Sequence, residues 1–156
     1  MEHRHYEEKI LKLRTKKRMA PKKTNRLRLA CKLAQLKARL TETDADGIGR
    51  CVSCGKPIHW QEGSGGHFQP KGRNYNGACL DERNVHLQCS GCNLYLQGNP
   101  AGYNRFMVER YGDAVIEEIA QMSYKLHDRW AVDKYIAKTR KECRELAKTK
   151  NFTVNI

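Results

Sequence analysis

Cys51-Val-Ser-Cys54 and Cys89-Ser-Gly-Cys92-Asn93 decide how this chain is read. Each holds two cysteines separated by two residues, a spacing that lets both thiolates of a knuckle face one cation. Together they form a complete four-cysteine set for a tetrahedral Zn2+ ion, with Gly55 and Gly91 where knuckle backbones need freedom. Four thiolates leave no open coordination position, so this zinc is expected to hold the fold and to do no chemistry. A two-electron redox role is disfavoured because neither pair sits in a βαβ pattern. The 34 residues between the pairs exceed the roughly 15–20 of a simple zinc ribbon. Something is therefore inserted between the knuckles.

The insertion carries the polar residues of interest. Hydrolysis of a phosphodiester needs a base for water, a divalent ion to carry charge on the phosphate, and protonation of the leaving oxygen. His67 is the base candidate, and Gly65 and Gly66 beside it leave backbone room for a phosphate. Asn93, expected to begin the helix after the second knuckle, offers a hard carbonyl oxygen suited to Mg2+ or Mn2+. Asn84 lies five residues before Cys89, where its amide can brace a turn and orient His67. Lys71, Arg73 and Arg83 are candidate phosphate contacts.

The rest of the chain supplies charge and helices. Its 156 residues carry a formal charge of +13, from 30 Lys and Arg against 17 Asp and Glu, which suits a polyanion such as nucleic acid. Residues 1–23 are nearly a polyelectrolyte; Tyr6, Ile10 and Leu13 keep helical spacing before Pro21. A solvated tail and a phosphate-binding arm both remain open there. Residues 24–41 read as a helix capped by Thr24, with Leu29, Leu33, Leu36 and Leu40 forming a seam. That seam packs either on the chain's own core or on a second copy. Residues 43–49 read as a linker. Helices follow over 100–111, ended by Gly112, over 113–127, capped by Asp113 with Leu126 inward, and over 130–148. The expected organisation is a basic helical arm and linker (1–49), a zinc-stapled core (50–99) and a C-terminal helical extension (100–156). Cys31, Cys79 and Cys143 read as buried thiols, His59 and His127 have no assigned role, and Trp60, Phe68 and Tyr75 read as packing residues, with stacking on exposed bases as the other use of such rings. No apolar run approaches the roughly 18 residues of a membrane span. The charged N-terminus lacks a signal-peptide core, so a cytoplasmic protein is expected.

The order C-x-x-C, G-H, R-N-x-x-x-x-C-x-x-C-N resembles the HNH, or ββα-metal, nucleases in their four-cysteine zinc form. Cys51-Val-Ser-Cys54-Gly, Gly66-His67-Phe68, Glu82-Arg83-Asn84-Val85-His86, Gln88-Cys89, Cys92-Asn93 and Gly98-Asn99 resemble the phage NinG recombination protein family, also called Rap. Tyr111-Gly-Asp-Ala-Val-Ile-Glu-Glu and His127-Asp-Arg-Trp130 extend the likeness, which covers about residues 48 to 147. It implies an α+β fold: an HNH core of a two-strand hairpin and a helix, stapled by zinc and flanked by basic and amphipathic helices. It also implies a Mg2+-dependent, phage-encoded endonuclease acting in the host cytoplasm on branched DNA such as Holliday junctions and D-loops. Phage recombination proteins are implied partners, and two opposed cuts imply a homodimer. By the same resemblance His67 is the general base, Asn93 a metal ligand, and Asn84 the residue that positions the imidazole. Many HNH enzymes carry a metal-binding Asp or His just before the base, where this chain has Gly66. A replacement ligand is sought first at His86, then at Gln97, Asn99, Asp81 or Glu82. The competing readings are a non-catalytic zinc protein that binds branched or single-stranded DNA, a sequence-reading HNH enzyme, and an RNA-binding zinc protein.

Overall fold

The computed structural model describes residues 23–72 and 75–156. The N-terminal helix expected around Tyr6, Ile10 and Leu13, and Arg73, lie outside the described residues.

The leucine seam produces helix α1 (Lys23–Thr41), which begins one residue before the expected cap, Thr24. Ala30, Leu33, Ala34, Leu36, Ala38 and Leu40 are buried within this chain's own core, which fills the seam without a second copy. Residues 43–49 form turns, as expected of a turn-rich linker, and side-chain bonds tie them into the fold. The Asp44 carboxylate accepts hydrogen bonds from the Asp46 and Ile48 amides at 3.0 and 2.8 Å, and Thr43 is buried and bridges to Gly49. Two small antiparallel sheets follow, where one hairpin was expected. Strands β1 (Ile48–Arg50) and β2 (Pro57–His59) pair with Arg50 opposite Pro57, so the first knuckle is their connection. Strands β3 (Ser64–His67) and β4 (Val85–Gln88) pair with Gly66 opposite His86 and His67 opposite Val85. Their connection holds two short 3-10 turns, Gly77–Leu80 and Glu82–Asn84.

Helix α2 (Pro100–Tyr111) ends at Gly112, whose φ of +82° suits glycine and whose amide reaches the Val108 carbonyl at 2.8 Å. Helix α3 (Ala114–Met122) stops well short of residue 127. The chain beyond it pairs with the first 3-10 turn instead: Gly77 N donates to Lys125 O, and His127 Nε2 to Asn76 O, both at 2.8 Å. A continued helix would spend the Lys125 carbonyl on its own ladder. Leu126 is consequently exposed, not inward. Asp113 makes no side-chain capping bond, because its backbone is already helical. Helix α4 (Arg129–Thr149) is capped by Asp128 and buries Val132, Ile136 and Cys143.

Helix α1 lies across β3 and β4 and packs along α4. One apolar cluster joins Ala30 and Leu33 to Cys79, Val85, Val132 and Ile136, and another joins Ala78 to Tyr103, Met107 and Ile119. Arm, core and extension thus share their interiors among the described residues. The fold is a mixed α+β arrangement with the four-cysteine cluster at one end. No helix among the described residues is long and apolar enough to cross a membrane.

Candidate functional site

The two knuckles bring Cys51, Cys54, Cys89 and Cys92 together, with all four sulfurs within 4.8 Å of one another. Cys51 and Cys92 are buried, Cys54 is exposed, and the Cys54 and Cys89 sulfurs lie 3.8 Å apart. The donor set fits a tetrahedral ion such as zinc. Amides point at the sulfurs, as they do around thiolates: Cys92 N at 3.4 Å from Cys89 Sγ, and Asn99 Nδ2 at 3.3 Å from Cys92 Sγ. Burial pushes the Cys92 thiol up to about 12 and raises Cys51 as well. A cation at the centre reverses that cost by favouring thiolates.

His67 ends β3 on the face of the hairpin that α1 covers. Its Nε2 lies 3.1 Å from the Cys79 carbonyl and 3.5 Å from the Cys31 sulfur. A carbonyl only accepts, so Nε2 carries the proton and Nδ1 is the basic nitrogen. Both cysteines were read from the sequence as plain buried thiols, and they are buried. The fold nevertheless uses them as the imidazole's immediate surroundings. The Cys31 thiol is shifted down, chiefly by its hydrogen bond with Cys79 and then by His67 and Lys71, against the effect of burial. The Cys79 thiol is shifted up by the same bond and by burial. Its sulfur lies 3.5 Å from His127 Nε2, so His127 belongs to the same cluster. No local spacing in the sequence announces these long-range neighbours.

Asn84 is fully buried and makes three hydrogen bonds. Its Nδ2 donates to Ala78 O at 2.8 Å and to Gln69 O at 3.1 Å, and its Oδ1 accepts from Gln69 N at 2.7 Å. It braces the loop as expected from a turn amide, but none of these bonds reaches the His67 ring. Its link to that ring runs through the backbone, since Ala78 immediately precedes the carbonyl on which His67 hangs.

The structure places three of the expected features in unexpected surroundings. The room left by Gly65 and Gly66 is already filled. A Cβ on Gly65 would stand 2.5 Å from the Gln35 Cα of α1, and one on Gly66 would stand 1.9 Å from Gln88 Oε1. A metal-binding side chain at the place before the base would therefore have to displace the buried Gln88 amide, which donates to Ser53 Oγ and Gly98 O. His86, sought as the replacement ligand, lies on the opposite face of the hairpin, because it pairs with Gly66 and not with His67. It is 3 % exposed, and both nitrogens are engaged: Nδ1 with the Glu42 carboxylate, Nε2 with Arg83 O at 3.0 Å. Arg83, proposed as a phosphate contact, is paired with Asp81 at 3.0 Å and Glu118 at 2.5 Å. Among the other ligand candidates, Asp81 is thereby committed, Glu82 pairs with Lys37, and the Asn99 amide holds Cys92 Sγ and caps α2.

Asn93 lies in a wide turn, Gly91–Tyr95, with α2 starting only at Pro100. It opens onto a cavity of about 540 Å3 whose lining includes Lys32, Gln35, Arg39, Gly65 and Asn155. A neighbouring cavity of about 340 Å3 is lined by Arg28, Cys31, Lys32, Gln35, Lys71 and Tyr75. Lys32 and Gln35 border both, so one face of α1 (Arg28, Lys32, Gln35, Arg39) floors a basic trough. Asn93 stands at one end of it, and Lys71 and the Cys31 neighbour of His67 at the other. Trp60 is buried and stacks on Phe152 with centroids 5.4 Å apart, which removes it from any base-stacking role.

Comparison with known proteins follows the same stretch. The profile of the family described as Bacteriophage Lambda NinG protein matches residues 1–152. The chain is 34 % identical over 88 residues to Protein ninG of Salmonella phage P22, 32 % to that of Escherichia phage 933W and 30 % to that of Escherichia phage lambda. Each match covers 53 % of this chain and 39 % of the relative, so the likeness spans about two fifths of the curated proteins. No solved structure matches.

Proposed function

The chain belongs to the NinG family, and from that premise we propose that it is a Mg2+- or Mn2+-dependent endonuclease of HNH type that cuts branched DNA, with a structural Zn2+ in the four-cysteine site. The observation that carries the reading is the anchoring of His67. An imidazole tethered by Nε2–H to the Cys79 carbonyl has a fixed tautomer and a fixed orientation, and its Nδ1 is left to take a proton from water. Asn84 is a positioning residue. By holding Ala78 O and the Gln69 backbone it fixes the turn that supplies the tether. Arg28, Lys32 and Lys71 along the trough attract the phosphate backbone.

Among the described residues, the side chains lining the Asn93 cavity offer neutral oxygens, from Asn93, Gln35, Ser64, Thr153 and Asn155, and none is a carboxylate. The Asn93 amide oxygen is a hard ligand of the kind Mg2+ takes, and beside Lys32 and Arg39 the rest of the ion's coordination would come from water and substrate phosphate. When bound at Asn93, the ion supplies positive charge for the phosphate and the leaving oxygen. A second copy brings the second centre needed for two opposed cuts.

The test is nicking of a labelled four-way junction and of linear duplexes of the same sequence, with Mg2+. Cutting of the junction that is lost in His67→Ala supports the reading, and a wild-type protein that never nicks it overturns the reading. One observation favours a second reading, a zinc protein that binds branched or single-stranded DNA without cutting: a side chain before His67 would have to displace the buried Gln88 amide. That protein would bind the junction equally well with and without His67, and neither form would cut.

A further inference from the structure

The turn after the second knuckle exposes three apolar side chains in a row. Leu94 is 65 % exposed, Tyr95 83 % and Leu96 58 %. They directly follow Asn93, and the turn that carries them is held at both ends. On one side stands the four-sulfur cluster. On the other, Gly98 N donates to Cys92 O at 2.8 Å, and Gly98 O accepts from Gln88 Nε2 at 2.7 Å. Gln97 and Asn99 adopt positive φ values, +50° and +47°, an uncommon backbone that surrounding bonds must maintain. A fixed turn that displays Leu-Tyr-Leu to solvent is a pre-formed apolar tip.

Charge beside the turn says what covers it. The cavity beside Asn93 is lined by Lys32 and Arg39, while the cavity that Leu96 lines, of about 450 Å3, balances Lys56 with Glu62, so the positive charge lies on the Asn93 side. A polyanion with an apolar feature fits this arrangement, and the exposed π-face of an unpaired base is such a feature. A second copy fits less well, since it would bring another +13 to the same place. Three residues also present far less than the roughly 800 Å2 per partner of a stable protein interface.

We propose that Leu94, Tyr95 and Leu96 form a wedge that enters branched DNA at the point of strand exchange, where Tyr95 stacks on an unpaired base. This deepens the branched-DNA reading and rests on it. The wedge discriminates against intact linear duplex, where a base leaves its stack only at the cost of opening the helix.

The test measures binding without divalent metal, using a four-way junction with 2-aminopurine at the branch and a linear duplex of the same sequence. Wild type is expected to prefer the junction and to change the 2-aminopurine emission. Tyr95→Ala should weaken junction binding roughly 5- to 100-fold, leave duplex binding unchanged and abolish the emission change, while Tyr95→Trp restores all three. Equal melting temperatures verify that the exposed substitutions leave the fold intact. Retention of the full junction preference by Tyr95→Ala and by the Leu94→Ser, Leu96→Ser double variant overturns the wedge alone. A shift of these variants in sedimentation, with unchanged DNA binding, overturns it in favour of a contact between copies. A wild type that does not distinguish junction from duplex overturns both readings. A wild type that shows the Tyr95 effect but never cuts with Mg2+ overturns the nuclease and leaves the wedge.

Discussion

His67 and His86 sit on adjacent strands of one hairpin, one register step apart, and the fold gives them opposite roles. His86 faces α2, with its ring 4.8 Å from that of Phe106 and both nitrogens bonded. His67 faces α1, is half-buried beside Cys31, and has one nitrogen tethered. The type of residue is the same, and so is the strand geometry. What differs is the partner that each face meets. A histidine with both nitrogens committed inside an aromatic cluster is cement, whereas one with a single anchored nitrogen keeps the other for the role of base proposed above.

The largest effect will come from destroying both faces together. The four-cysteine cluster joins β1 and β2 to the turn after β4, and structural zinc in small domains supplies on the order of 10 kcal/mol at neutral pH. Chelation of the metal, or Cys89→Ser, should therefore unfold the core. Circular dichroism should lose its cooperative melt as bound zinc falls from one ion per chain to none. A melt that survives full removal of metal would show that the helices alone hold the hairpin.

The next pair of variants breaks the comparison directly. His67→Ala should cut junction cleavage roughly 100- to 10,000-fold with little change in melting, because one neutral tether is lost at a half-buried position. His86→Ala should do the reverse. It leaves the half-buried Glu42 carboxylate with only the Leu87 amide and opens a void among Tyr103, Phe106 and Tyr111, which costs about 3 kcal/mol. Its residual folded fraction should still cut. If the two variants exchange phenotypes, the roles assigned to the two faces are wrong.

Asn84→Ala sharpens the difference between positioning and catalysis. Three hydrogen bonds disappear from a fully buried amide, leaving Ala78 O and the Gln69 backbone without partners, a loss of about 2–3 kcal/mol. Cleavage should fall further than stability predicts, at unchanged DNA affinity, since the turn carrying the Cys79 carbonyl is freed. A fall in cleavage that merely tracks the unfolded fraction would make Asn84 purely structural.

These contrasts also mark what the sequence could tell. The C-x-x-C pairs were legible because the thiols of each knuckle are set by local spacing, and the helices were legible from apolar periodicity. Gly65 and Gly66 were misread because the reason for a glycine lies in what approaches it. Gln35 comes from 30 residues upstream and Gln88 from across the sheet. His86 was misread for a related reason: strand alternation fixes which side it takes, but Glu42 and Tyr111, which decide its use, are remote. The end of α3 was missed because its apolar period continues to Leu126, while the Lys125 carbonyl is claimed by Gly77. Cys31 and Cys79 had no motif at all. Only the crossing of α1 over the hairpin brings them to His67.

The smallest effect concerns what holds α1 over the His67 face. Lys37 of α1 bridges Glu142 of α4 at 2.8 Å and Glu82, just before β4, at 2.6 Å. The bond to Lys37 holds the Glu142 carboxyl below the ordinary carboxylate range. Lys37 is raised: burial works against its charge, but the two carboxylates outweigh it. A carboxylate whose pKa is depressed by folding contributes stability above its unfolded value, about 4, and that contribution is lost as pH falls through the lower folded value. A raised lysine contributes below its unfolded value, about 10.4, and loses the contribution as pH rises through the higher folded one. Glu142→Gln should thus cost at most about 1 kcal/mol across neutral pH, with the difference from wild type closing below about pH 4. Denaturant titrations of both proteins at pH 7 and pH 3 measure this. A cost that persists unchanged at pH 3 would mean that Glu142 steadies α1 through packing and not through charge, and the His67 face would then owe its lid to apolar contacts alone.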